Sequence, residues 1–126
     1  MFLGRAGQPE RRLYATVLEA QQQASQAVRA GVSCAAVDRA ARRPIVQQGW
    51  GRFFSHSTGH GVGLEIHEMP RLAAGERSPL PAGAVVTIEP GVYLPGVGGV
   101  RIEDMLVVRE GGSEVLTPSP KKLLEL

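Results

Sequence analysis

The three histidines of this 126-residue chain, His56, His60 and His67, all fall in the run His56-Ser57-Thr58-Gly59-His60-Gly61-Val62-Gly63-Leu64-Glu65-Ile66-His67. Imidazole is the commonest metal ligand and the usual proton shuttle near neutral pH. Glycines at 59, 61 and 63 leave the backbone bare beside His60, as a close approach by metal or substrate requires. Taken singly, each histidine is as readily a hydrogen-bonded strand residue. Taken with isolated acids in apolar runs downstream, they point to a site. Glu89 ends the run Ala84-Val85-Val86-Thr87-Ile88, and Glu103 sits inside Val100–Val108. A carboxylate in a buried strand is costly unless it is paired, protonated or metal-bound. An edge position, or an ion pair with Arg101 on the face of Glu103, is the bland alternative. With His60 the two glutamates make a one-nitrogen, two-carboxylate set that suits Mn, Co, Zn or Fe(II).

The elements that must position these residues divide the chain in two. Gln8-Pro9-Glu10 reads as a helix start, with Pro in the first turn and Glu favourable to the helix dipole. Leu13/Tyr14, Val17/Leu18, Ala24 and Ala27/Val28 recur at helical spacing, and Gly31 ends the pattern. Ser33 caps a second helix with the stripe Val37, Ala40/Ala41 and Ile45; Pro44 inside it predicts a kink or an early end. The helices are expected near 9–30 and 34–48. Beyond Gly49-Trp50-Gly51 the period changes: Phe53-Phe54, Leu64–Ile66, Ala84–Ile88, Arg101–Val108 and Ser113–Leu116 read as strands. Pro90–Gly99 reads as a loop, Pro118–Leu126 as a tail, and Met1-Phe2-Leu3-Gly4 as the end of a strand. Two helices followed by an antiparallel sheet make an α+β layer arrangement, expected as one domain over 1–126.

Composition narrows the classes. Hydrophobic residues at 43% and charged residues at 21% are ordinary for a soluble globular protein, and no apolar run approaches a membrane span. The lone Cys34 precludes an internal disulfide framework and fits a cytoplasmic protein; in its Ala-rich setting it reads as a small buried side chain. Residues 1–52 carry eight Arg against three acids, yet lack aromatic interleaving or a nucleic-acid motif, so they read as solvated helix faces. Gly96–Gly99 has neither the spacing nor the following helix of a phosphate loop.

Three motifs in order then carry a resemblance over essentially the whole chain. These are His56-x-x-x-His60-Gly-Val-Gly-Leu-x-x-His67-Glu68-x-Pro70, Thr87-Ile88-Glu89-Pro90-Gly91-Val92-Tyr93 and Gly99-Val100-Arg101-Ile102-Glu103-Asp104. Together they closely resemble the Xaa-Pro peptidase branch (prolidase and aminopeptidase P) of the pita-bread metallopeptidases. The resemblance implies a hydrolase of Xaa-Pro peptides, with His60 a metal ligand, Glu89 a terminal carboxylate ligand near the metal-bound hydroxide, and Glu103 a bridging carboxylate. It implies that His67 steadies the scissile carbonyl and that His56 lies near the proline side. Arg101 would orient carboxylates, and Tyr93 would line the substrate pocket. Two metal ions, Mn expected and Co or Zn as alternatives, would activate a bridging water, so no side-chain nucleophile is required.

The same resemblance exposes a gap. The family's two halves hold the metals between them, and the first half brings two aspartate ligands and a further catalytic histidine. Asp38, in a helix, and Asp104, beside Glu103, do not match those aspartates. Phe2-Leu3-Gly4 resembles the strand that follows the second of them. The expectation is therefore the C-terminal half of a catalytic domain, two helices on an antiparallel sheet, with at most one weakly held ion. A companion half, or a homo-oligomer, is the expected partner beside the peptide. The competing reading is a non-catalytic binding or scaffolding module of the same fold.

Overall fold

The computed structural model describes residues 2–126; the Met1 end of the expected first strand lies outside them. Helix α1 spans Gln8–Ala27, with Pro9 in the first turn and Glu10 near the positive end of the dipole. Its inward stripe is Leu13, Thr16, Val17, Ala20, Gln21 and Ala24. The helix stops short of Gly31 because the next backbone donors are taken elsewhere: Ala30 N bonds to Arg109 O at 2.9 Å and Gly31 N to Leu80 O at 2.9 Å. Helix α2 spans Cys34–Gln47, and the Ser33 hydroxyl accepts from Ala36 N at 3.3 Å as its cap. Pro44 does not end it early. The helix continues to Gln47, with Gln48 N returning to Pro44 O at 3.3 Å.

Five strands make the main antiparallel sheet: β1 (Gly59–Gly61), β2 (Glu68–Leu72), β3 (Val85–Ile88), β6 (Asp104–Arg109) and β7 (Gly112–Val115), in the order β2-β1-β3-β6-β7. Strands β4 (Gly91–Leu94) and β5 (Gly98–Arg101) pair separately. Both helices cover one face of the sheet, and the core between them includes Val17, Ile45, Leu72, Val86, Ile88 and Leu106.

Four sequence expectations change here. Phe53-Phe54 is not a strand: Gly51–Phe53 forms a 3₁₀ turn, and Phe54 follows it into the core. Leu64–Ile66 is not a strand either, and both large apolar side chains point to solvent. The strands flanking it are β1 and β2, which are Gly- and Pro-bearing and give little propensity signal. Pro90–Gly99 is no loop; it holds most of the β4–β5 hairpin. Arg101–Val108 is interrupted, with Ile102 and Glu103 lying between β5 and β6. Yet Ile88 pairs with Asp104 and Gly91 with Arg101 in one uninterrupted register. The two hairpins are thus one long ribbon that opens at Glu89-Pro90 and Ile102-Glu103.

The glycines beside His60 serve neighbouring strands. A Cβ at Gly59 would collide with the Thr87 carbonyl oxygen, and one at Gly61 with the Met69 carbonyl. Close strand packing, not room for a ligand, is what the structure asks of those two positions.

Candidate metal and substrate site

His60 lies on the sheet face turned away from the helices. It pairs with Arg71 on β2, and its amide donates to Thr87 Oγ1 on β3 at 3.1 Å. Thr87 pairs with Met105, so Arg71, His60, Thr87 and Met105 form one row across that face. Glu89 follows the end of β3, two residues after Thr87, and its carboxylate reaches His60; Glu103 precedes β6, two residues before Met105.

The His60 tautomer follows from its partners. Nδ1 lies 2.9 Å from the Gly61 carbonyl, which only accepts, so Nδ1 carries the proton. The other nitrogen, Nε2, stands 3.0 Å from Glu89 Oε1. With Nδ1 committed to a carbonyl, Nε2 and the Glu89 carboxylate oxygen are the two donor atoms that face one another. Both side chains are mostly buried, with relative exposures of 15% and 13%. The Thr87 hydroxyl donates to the same Oε1 at 3.0 Å. Arg101 Nε approaches Glu89 Oε2 at 3.8 Å, so this guanidinium faces Glu89 and makes no ion pair with Glu103. A histidine held at Nδ1 by a carbonyl, beside a carboxylate oriented by a hydroxyl, is a donor pair that suits a divalent cation.

The rest of the expected set is more dispersed. Glu103 is exposed and makes no hydrogen bond or ion pair among the described residues. Nor, among those residues, do three His, Cys, Asp or Glu side chains gather closely enough to hold an ion. The exposed His67 stacks obliquely on His60, ring centres 4.3 Å apart. Together they line an open groove of about 480 Å³ with Ser57, Glu68, Met69 and Arg71. His56 stands apart from that groove: Nδ1 donates to the Ser57 carbonyl at 2.8 Å, and Nε2 receives a long contact of 3.4 Å from Tyr93 Oη.

The contacts of four residues here escaped the sequence reading. Arg71 is an exposed cation with no ion-pair partner among the described residues, one strand from His60. Asp38 and Arg42 form a largely buried pair on α2, where the four-residue spacing of opposite charges was the available signal. Asp104 is structural: it takes hydrogen bonds from Gln21, Thr117 and Lys121, tying α1 and the C-terminal tail to β6. Cys34 is buried, and that burial, with Glu76 adding, pushes its thiol pKa up, which suits an inert core residue. Among the described residues no helix is long and apolar enough to cross a membrane.

Comparison with known proteins completes this picture. The sequence is 45% identical to the Xaa-Pro dipeptidase of Pyrococcus furiosus over 98% of this chain and 36% of that protein. Its fold superposes on an Xaa-Pro dipeptidase from Bacillus anthracis with a TM-score of 0.96 and 46% identity, covering 98% of this chain and 35% of that one. An X-Pro aminopeptidase from Thermotoga maritima gives a TM-score of 0.94 at 42% identity, again covering 98% and 35%. The chain thus spans about a third of the length of the relatives it matches, and it corresponds to their C-terminal part. The fold is the expected α+β portion of a pita-bread peptidase, two helices on an antiparallel sheet. The profile of metallopeptidase family M24 matches residues 1–110, and with these likenesses over nearly its full length the chain belongs to that family.

Proposed function

We propose that this chain is the C-terminal half of a dinuclear metallopeptidase that cleaves Xaa-Pro bonds, and that it is incomplete as it stands. The observation that carries the reading is the 3.0 Å approach of His60 Nε2 to Glu89 Oε1, with the ring's other nitrogen already committed to a carbonyl. His60 and Glu89 would hold one divalent ion, Mn by expectation, and Glu103 would bridge to a second. A divalent metal held there would supply a water of lowered pKa and polarisation of the scissile carbonyl. Glu89, steadied by the Thr87 hydroxyl and by Arg101, would accept the proton of the attacking water. His67, one ring away from His60, would donate to the carbonyl oxygen as charge develops on it. His56 and Tyr93, in mutual contact, would flank the proline side.

Arg71 lies in the same groove and would meet a free peptide carboxylate, which favours dipeptides. The two aspartates and the further histidine expected of the family would come from the rest of the protein, in cis or as a separate chain. The single buried thiol fits a reducing, cytoplasmic setting. A second reading, a non-catalytic module that keeps the fold, draws on two facts: Glu103 is exposed, and the described residues form no three-donor cluster.

Calorimetric titration of the chain with Mn(II) separates the two. The expected result is one weak site, abolished by Glu89→Gln and retained in His56→Ala. No binding to the folded wild-type chain would favour the module. Equal loss in both variants would reassign the roles of the two residues.

A further inference from the structure

The segment that leads into His60 is gripped from behind by a pair of charged residues that never reach the groove. Asp38 on α2 is 1% exposed. Its Oδ1 accepts from Thr58 Oγ1 at 2.8 Å and from Thr58 N at 3.3 Å, while Oδ2 accepts from Arg42 Nε at 2.7 Å. Arg42, one helical turn on, spends its fork on the main chain. Nη1 donates to Phe54 O at 2.8 Å and Nη2 to His56 O at 2.6 Å, with the guanidinium 4.1 Å from the Phe54 ring centre. The pair therefore holds both ends of residues 54–58.

Two further contacts pass this grip to the site. The Thr58 carbonyl accepts from Glu89 N at 2.7 Å. The Phe54 ring meets the His56 ring edge-on, with centres 5.0 Å apart. A buried ion pair is a poor source of net stability, since desolvation offsets most of the attraction. What this pair does hold is the backbone beside a substrate-side histidine and a metal-side glutamate.

We propose that Asp38 and Arg42 are positioning residues of the metal and substrate site, fixing His56 directly and Glu89 through the Thr58 carbonyl. The proposal rests on the functional reading of His56, His60 and Glu89 given above. Pure charge neutralisation of Asp38 would need only a cation at position 42. Positioning needs the planar fork, which alone reaches two carbonyls at once.

The test uses Asp38→Asn and Arg42→Lys in the 126-residue chain. The readouts are the His56 ring signals in long-range ¹H–¹⁵N spectra, hydrogen exchange at the Thr58 and Glu89 amides, and Mn(II) affinity. Asp38→Asn keeps an acceptor for Thr58 but turns an amide donor on Arg42 Nε, releasing the fork. Both variants should shift the His56 signals and speed exchange at Glu89 by about tenfold or more, with Val107 and Val108 unchanged. Mn(II) affinity should fall about 10–100-fold, as for other residues that orient metal ligands. A lysine variant indistinguishable from wild type at His56 and Glu89 would overturn the proposal, because a bare charge would then suffice. If both variants unfold, the wild-type chain decides: Thr58 and Glu89 must exchange as one unit with Ala41 and Ile45 of α2, and separate, faster opening overturns the clamp. Responses at His56 and Glu89 in a chain that binds no Mn(II) at all would support the positioning and refute the metallopeptidase reading.

Discussion

His60 Nε2 and Glu89 Oε1 stand 3.0 Å apart, and the Thr87 hydroxyl ties them together from β3, which ends just before Glu89. Thr87 accepts from the His60 amide and donates to the Glu89 carboxylate, so one side chain registers both donors. Thr87→Val keeps the shape and loses both hydrogen bonds. Mn(II) affinity is expected to fall about 10–100-fold, with a stability loss of about 1–3 kcal/mol from the buried amide left unpaired. Calorimetry and urea unfolding measure the two effects separately. An affinity equal to wild type would show that Thr87 serves the sheet alone.

Gly59 packs its Cα against the Thr87 carbonyl, leaving no room for a methyl group. Gly59→Ala should therefore destabilise the chain by about 1–3 kcal/mol, as other overpacked sites do. Gly111, in open space between β6 and β7, is the control. Gly111→Ala should stay within about 0.5 kcal/mol of wild type in the same urea titration. Similar losses at both positions would mean that β1 and β3 separate without difficulty.

The purified chain is expected to show no useful hydrolysis of Xaa-Pro dipeptides with Mn(II). Among the described residues no three His, Cys, Asp or Glu side chains gather to hold an ion, and a paired-ion centre is what clamps both water and carbonyl. Adding a polypeptide that carries the first half of a related enzyme should restore turnover, assayed by release of free proline. Metal-dependent turnover by the chain alone would mean that it assembles a substitute site.

Glu125 joins the two ends of the chain and makes that junction sensitive to acid. Its Oε1 accepts from Ala6 N at 2.7 Å and from Arg11 Nη2 at 2.6 Å. The Ala6 amide first, and Arg11 second, hold the carboxyl below its ordinary value of 4.5. A depressed carboxylate contributes stability above its unfolded pKa and loses it as pH falls through the folded value. The Ala6 amide resonance should thus be constant near neutrality and move only in acid below 4.5, and Glu125→Gln should remove that titration. An Ala6 shift that titrates unchanged in the variant would assign it to another group.

The motifs and the two helices were legible in the sequence because both are local signals. Helical periodicity, the Ser33 cap and the Pro9 start need no distant partner, and the order of the three histidine- and glutamate-bearing motifs carries the family resemblance. Tertiary structure alone decided the strands on either side of His60. Gly59–Gly61 and Glu68–Leu72 carry little β propensity; they are strands because they pair with each other and, through Gly61, with Val86, and at Gly59 and Gly61 the neighbouring carbonyls come close enough to demand glycine. It also decided that Arg101 faces Glu89, that β4 and β5 continue the register of β3 and β6, and that Asp38 and Arg42 hold the main chain behind His56. These are relations between residues distant in the chain, fixed by register and packing, and no local pattern encodes a register.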